Sequence, residues 1–370
     1  MGKTIVKLKD VLDRGTSNLS ANKLNDNEGD YPVYGATGLF KNVDFFQQDK
    51  EYLAIIKDGA GVGRVYHYPA KSSILGTMQY LFPKDNINIR FAYYYLKSLD
   101  FKKYTCGAAI PHIYYKDYCN ETLALPSKEE QEKIVSILDK ADEIRAKKKL
   151  ANDKLDEFLK STFISMFGDS KGNPNGFELK ELQTISNVGS SKRVFVNELV
   201  EKGIPFYRGT EIGALAEGKE ILPELFITEE HYKELCDCTG KVNQGDLLLP
   251  SICPDGRIWQ VQNNTEFYFK DGRVLWIRPN AGENSTYIRY ALKELFQSDY
   301  KHIASGTTFA ELKIFILKTL NIMYPPMELQ NKFAQIVEHV EAQKQKNELV
   351  IEQMNNLFNS LSQRAFKGEL

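Results

Sequence analysis

Between Leu125 and Phe167 apolar residues fall at Ile134, Ile137, Leu138, Ala141 and Ile144, then at Leu155, Phe158, Leu159, Phe163, Met166 and Phe167. This i, i+3, i+4, i+7 spacing puts them on one face of an α-helix. The stretch from Tyr324 to Phe366 repeats the layout at a constant offset of 199, with Phe333, Ile336, Val337 and Val340 followed by Met354, Leu357, Phe358 and Leu361. Pro126 matches Pro325, Gln131 matches Gln330, Ile137 matches Ile336 and Leu150 matches Leu349. Each copy opens on a proline, whose missing N–H and fixed φ suit the first helical position. With no internal Gly or Pro, each predicts a rod of roughly 60 Å at 1.5 Å per residue. A helix that long cannot bury its stripe within itself, and its own copy, packed antiparallel, is the natural partner.

The segments between the rods read as globular and mixed. In residues 1–124, Glu51–Lys57 predicts a buried strand, Gly59-Ala60-Gly61-Val62-Gly63 a tight turn, and Val65–Tyr68 a second strand. A helix from Arg90 to Leu99 and a strand over Thr122–Leu125 follow. Residues 169–323 echo this plan. Phe177–Leu182 stands for Lys7–Leu12, Ile204–Arg208 for Tyr31–Tyr34, and Asp246–Leu249 for the buried strand. Asp255–Trp259 stands for the segment ending at Tyr66, Arg273–Pro279 for the strand ending at Pro83, and a helix is expected over Thr286–Phe296. Gly306 lies 199 beyond Gly107. The rods match closely, the globular parts only in outline. The domains expected are therefore 1–124, a central helix over 125–168, 169–323, and a C-terminal helix over 324–370.

Composition adds a compartment and restrains the choice of partner. Five cysteines, Cys106, Cys119, Cys236, Cys238 and Cys253, an odd number without a signal peptide, imply reduced thiols and a cytoplasmic protein. No apolar run approaches the length of a membrane span. The net charge of −1 divides into +3 over 1–124, −1 over 125–170, −2 over 171–323 and −1 over 324–370. Charge alone does not indicate a polyanionic partner, so any nucleic-acid face is a local patch or is completed by a basic partner.

The sequence of variable segment, long helix, variable segment, long helix resembles the specificity (S) subunit of type I restriction–modification systems over essentially the whole chain. The residues that carry the likeness are Gly107 to Ile113, Leu125-Pro126 and Glu130-Gln131 in the first half. In the second they are Gly306-Thr307-Thr308, Tyr324-Pro325-Pro326 and Gln330. The acid before Gln330 is displaced to Glu328, and neither loop carries the Gln-Pro-Asn often found after that glycine, so no individual base contact is carried over from the family. The resemblance implies an α+β architecture: two globular mixed α/β target-recognition domains separated by two long antiparallel helices, a coiled-coil-like spacer with a pseudo-twofold internal repeat. It also implies a non-catalytic subunit that reads a bipartite, asymmetric double-stranded DNA site. Two methyltransferase (M) subunits would dock on the helices, and restriction-translocase (R) subunits would join through the complex. The rival reading is a non-DNA adaptor whose helical hairpin spaces two protein-binding domains.

Motifs for other chemistry are missing. Tyr324-Pro325-Pro326-Met327 lacks the residues that flank the prolines of an amino-methylation motif, Gly2-Lys3-Thr4 lacks a P-loop's upstream glycines, and no nuclease motif follows Pro254-Asp255. No cofactor is expected from Gly59–Gly63, which lacks GxGxxG spacing. No metal is expected from His231, Cys236, Cys238 and Cys253, which lack the spacing of a zinc site. For DNA, useful side chains carry a charge to phosphate or a planar donor to a base edge. The candidates in the first globular part are Lys57, Arg64, Tyr66, His67, Lys102, Lys103 and His112. In the second they are Lys192, Arg193, Arg208, Arg257, Trp259, Lys301, His302 and Thr307. Arg64 is the foremost base reader, and the run Arg145–Lys149 is either a solvated face or a phosphate rest.

Overall fold

The computed structural model describes residues 4–107, 109–252, 256–303, 311–367 and 369, with backbone alone for 299–303. They form two compact units: a first, discontinuous in sequence, of Met1–Ala151 with Lys346–Leu370, and a second of the single stretch Asn152–Gln345.

In the first unit Thr4–Lys7 pairs antiparallel with Thr122–Leu125. A four-stranded antiparallel sheet runs Leu12–Thr16, Met78–Pro83, Tyr52–Ile56, Val65–Tyr68. A three-stranded sheet runs Gly38–Val43, Tyr31–Gly35, Ser73–Ile74, the last pair parallel. All five residues of Tyr52–Ile56 are buried. Because side chains alternate along a strand, Leu53 and Ile55 enter the core against the helices while Tyr52, Ala54 and Ile56 enter a second core with Ile74, Met78 and Tyr80.

The second unit repeats this plan strand for strand. Glu178–Glu181 pairs antiparallel with Asn321–Tyr324. The four-stranded sheet runs Ser186–Gly189, Val274–Pro279, Leu247–Pro250, Trp259–Gln260, and the three-stranded sheet runs Phe226–Ile227, Ile204–Tyr207, Tyr268–Phe269, again with the last pair parallel. Leu247 and Leu249 face the helices and Leu248 faces the opposite core. The globular parts thus share one topology, closer than the outline match expected from sequence. One echo shifts: Leu182 N–H donates to Leu320 O as Leu8 N–H donates to Glu121 O, both at 2.9 Å, so Leu182 is the counterpart of Leu8, not of Leu12. The largest difference is an insertion. Residues 36–37 connect the first two strands of the small sheet in the first unit, whereas the second unit places the helix Gly209–Ala216 between Ile204–Tyr207 and Phe226–Ile227.

The long helices span Lys128–Phe167 and Met327–Lys367. Ser127 begins the first: its Oγ accepts the Glu130 N–H at 3.3 Å, and Glu130 Oε2 accepts the Ser127 N–H at 3.1 Å. Pro126 therefore precedes the cap instead of occupying the first turn. In the second helix the Pro326 carbonyl accepts from Leu329 and Gln330, so Pro325 lies outside it. Each unit holds part of both helices, antiparallel. In the first, Arg145 Nη1 donates to Asn355 Oδ1 at 2.8 Å and Lys148 Nζ to Asn347 Oδ1 at 3.1 Å. In the second, Lys344 Nζ donates to Asp156 Oδ1 at 2.6 Å, and the Phe163 and Phe333 rings meet edge to face at 5.4 Å. The helix after the large sheet, expected to end at Phe296, extends over Ser285–Ile303.

Gln131 and Gln330 are both fully buried at the start of their helices. Gln131 Oε1 accepts the Asn88 N–H at 2.7 Å, and its Nε2 donates to the carbonyls of Pro126 and Asn86 at 3.0 and 3.2 Å. One side chain thereby fixes the helix to the segment leading into Ile89–Ser98, which packs on the same core.

Candidate nucleic-acid interface

The glycine-rich turn closes the hairpin between Tyr52–Ile56 and Val65–Tyr68. Gly59 and Gly63 have φ of +98° and +86°, a region glycine enters without steric penalty, and a Cβ on Gly63 would lie 2.6 Å from Phe101 Cβ. That close approach sets Arg64 and Lys102, both exposed, on adjoining segments. The loop ending at Ile113 is stitched to the same turn. Gly59 N–H donates to Pro111 O and Ile113 N–H to Lys57 O, each at 2.9 Å, while Cys106 and His112 exchange backbone hydrogen bonds across the loop. His112 Nδ1 lies 2.8 Å from Asp58 Oδ1. In the second unit Leu312 N–H donates to Ser251 O at 2.8 Å, the equivalent link, with Leu312 lying 199 beyond Ile113.

Equivalent positions carry different side chains. Tyr66 stands opposite Ala54, itself opposite Tyr80; Trp259 stands opposite Leu248, itself opposite Trp276. Tyr66 stacks on Tyr68, which stacks on Tyr34, and Trp259 packs on Phe267 at 5.2 Å. Arg64 is exposed without an acidic partner among the described residues. Its counterpart Arg257 reaches Glu217 at 3.4 Å and lies against Gly213.

Most of the other candidate cations have carboxylates beside them. Lys57 lies 3.7 Å from Asp58, His67 3.0 Å from Glu51, and Lys103 2.5 Å from Glu121. Arg193 lies 3.2 Å from Asp271, and Arg208 Nη2 lies 3.0 Å from Glu224. Arg208 Nε also donates to Glu211 Oε1 at 3.1 Å. Burial alone would raise the Glu211 carboxyl, but hydrogen bonds from Arg208, Thr210 and backbone N–H groups outweigh it and hold the group at about 2. Lys192, like Arg64 and Lys102, is exposed and has no acidic partner among the described residues. Along the helix, Arg145 pairs with Asp142 and Lys147 with Glu143, at 2.6 Å in the second case.

Lys301 and His302 have backbone in the helix Ser285–Ile303 but side chains outside the described residues, while Thr307, its neighbours Gly306 and Thr308, and Cys253, Pro254 and Asp255 lie wholly outside the described residues. His231 lies 3.8 Å from Glu198 and 3.6 Å from Glu234. Among the described residues no group of three or more His, Cys, Asp and Glu could hold a metal, and no helix is long and apolar enough to cross a membrane.

Sequence reasoning passed over two short helices, Tyr115–Tyr118 and Ile314–Lys318. They expose Tyr114 and Lys116 in one unit and Lys313 and Phe315 in the other. The available signal was the offset of 199, which runs without a gap from Gly107 through these helices to the rods.

Comparison with known proteins matches this duplicated plan. The family described as Type I restriction modification DNA specificity domain matches residues 2–154 and 174–353. A type I restriction enzyme specificity subunit of Haemophilus influenzae is 24% identical over 330 residues, covering 85% of this chain and 80% of that protein. The MjaIX specificity subunit of Methanocaldococcus jannaschii is 23% identical over 314 residues, covering 78% of this chain and 71% of that one. Among solved structures, the type I restriction–modification S subunit from M. genitalium superposes with a TM-score of 0.59 at 18% identity, covering 98% of this chain and 96% of that one. A chain from a study of complex assembly and conformational transition of the type I R-M system gives 0.55 at 14% identity, covering 100% and 98%. At such identities the superpositions show a shared fold, and the family match carries the assignment. With both halves matched, the chain belongs to the type I restriction–modification DNA specificity family, as a recognition subunit rather than a catalyst.

Proposed function

We propose that this chain gives a type I restriction–modification complex its DNA sequence preference, each unit reading one part of a bipartite, asymmetric double-stranded site. The observation that carries this reading is one strand topology built twice with different side chains or surroundings at equivalent positions: Tyr66 against Trp259, and an arginine that is exposed at Arg64 but faces a carboxylate at Arg257. A guanidinium free of acidic partners can bond guanine in the bidentate manner, and half-buried rings add planar surface. Lys102 and Lys192 supply charge for phosphate. The cations that sit beside carboxylates contribute where DNA can displace the acid.

In the same reading two methyltransferase subunits dock on the long helices. Exposed apolar side chains there, Ile137, Ile144 and Leu150 on one and Leu349 and Leu357 on the other, support a protein partner. Restriction-translocase subunits join through that complex, which works on DNA in the cytoplasm and methylates adenines in the bipartite site. Mixing purified methyltransferase subunit and this chain with a random duplex pool tests the whole. Enrichment of one motif split by a spacer of fixed length is expected. Enrichment of no motif, with a stable protein complex, would favour the adaptor reading instead.

A further inference from the structure

We infer that the short helices Tyr115–Tyr118 and Ile314–Lys318 form a second contact in each unit, a lysine–aromatic face that grips the phosphate backbone of the DNA duplex. This inference rests on the DNA-reading function proposed above and adds a surface to it.

The two segments are structural copies. At the offset of 199 the buried positions coincide, Ile113 with Leu312 and Tyr118 with Leu317, and so do the exposed ones, 114 with 313 and 116 with 315. Each leads into an edge strand with the same burial order, Thr122–Leu125 and Asn321–Tyr324. On this shared frame the two exposed positions hold the same pair of residue kinds in opposite order: Tyr114 and Lys116, then Lys313 and Phe315. Packing does not account for the rings, since Tyr114 is 51% exposed and Phe315 64%. Lys116 Nζ lies 5.4 Å from the Tyr114 ring centre.

The charge on this face differs from that of most candidates drawn from sequence. Among the described residues Lys116, Lys313 and Lys318 have no acidic partner, whereas Lys57, His67, Lys103, Arg193, Arg208 and Arg257 each have one. In the second unit Lys313, Phe315 and Lys318 line an open hollow of about 540 Å³ with Gly272, Leu275 and Glu311. Arg273 lies 3.9 Å from Glu311 at its edge, leaving the hollow's two lysines as its uncompensated charge. An exposed ammonium beside an exposed ring suits a phosphate and its neighbouring sugar, a contact that positions the duplex without reading sequence. The face adjoins the turn that carries Lys57, because Ile113 and Leu312 are the residues hydrogen-bonded to Lys57 and Ser251.

The test uses the complete chain assembled with its methyltransferase subunits. Affinity for a duplex carrying the selected split motif, and for a scrambled duplex, is measured from low to physiological salt. Lys313→Gln/Lys318→Gln should lower the slope of log affinity against log salt by about 2, and Lys116→Gln by about 1, each weakening both duplexes by one common factor. Phe315→Ser should weaken both without altering the slope. Slopes unchanged from wild type, in a complex that still prefers the split motif, overturn this inference alone. A wild-type complex with no motif preference overturns the underlying function. If the lysine variants fail to assemble with the methyltransferase, the face serves a protein partner and the inference also falls.

Discussion

His112 Nδ1 lies 2.8 Å from Asp58 Oδ1, tying the loop that follows Gly107 to the turn that precedes Arg64. The loop depends equally on its glycine: at φ +91° a Cβ on Gly107 would lie 2.4 Å from the Ile110 carbonyl. Gly107→Ala should cost about 1–3 kcal/mol through backbone strain and this clash. His112→Ala should cost about 1 kcal/mol. Hydrogen exchange should quicken at Cys106, His112 and Gly59 in both variants, and unchanged protection would show that the loop holds without these contacts.

Arg64 and Arg257 occupy matching turns but differ in what surrounds them. If the first is free to read a base, Arg64→Ala should lose about 1–3 kcal/mol of binding and relax preference at one position of one half-site. Arg257→Ala should change affinity less, because its guanidinium already faces Glu217. Motif selection with each variant complex checks both, and equal effects would remove the distinction drawn from their partners.

Glu211 gives the second unit a dependence on acid. Its carboxyl is held at about 2 against an ordinary 4.5, so its stabilisation is complete above about pH 4.5 and is lost as pH falls toward 2. Glu211→Gln should lower the melting temperature at neutral pH and flatten its decline between those values. Parallel melting curves for the two proteins through that window would show that Glu211 is not a source of the acid sensitivity.

Gln131 and Gln330 are fully buried at equivalent positions with unequal partners. Gln131 makes three hydrogen bonds, whereas Gln330 Nε2 donates to Pro325 O at 2.8 Å and its Oε1 has no hydrogen-bond partner among the described residues. Gln131→Ala removes the bonds from the Asn88 N–H and to the Asn86 and Pro126 carbonyls, of which the last is buried, at about 1–3 kcal/mol for a group left buried and unpaired. Gln330→Ala should cost less. Denaturant titration of the two variants checks the order, and the reverse order would show that the buried bonds do not set it.

The rods were legible because their stripe follows the 3.6-residue period without Gly or Pro, and Val65–Tyr68 and Thr122–Leu125 because short apolar or aromatic runs end at turn residues. Sheet order was not legible, since it depends on pairings between distant segments such as Leu12–Thr16 with Met78–Pro83. The state of the candidate charges was hidden for the same reason. The carboxylates beside Arg257 and Arg193 come from 40 and 78 residues away in the chain, and only proximity in the fold shows that they neutralise them. Asp58, the residue after Lys57, and Glu211, three beyond Arg208 and legible as a helical i, i+3 partner, are exceptions.

The first unit draws part of its core from the far end of the chain. Phe358, Ala365 and Phe366 join Phe91, Tyr94 and Tyr95 there, with Phe366 edge-on to both Phe91 and Tyr95. On the ribosome, the segment that is made earliest must therefore wait with an open apolar flank until the last helix emerges, while the later-made unit can close first. Order of synthesis and order of completion run in opposite directions, and a message cut short after residue 345 would spoil the unit whose strands had all been translated.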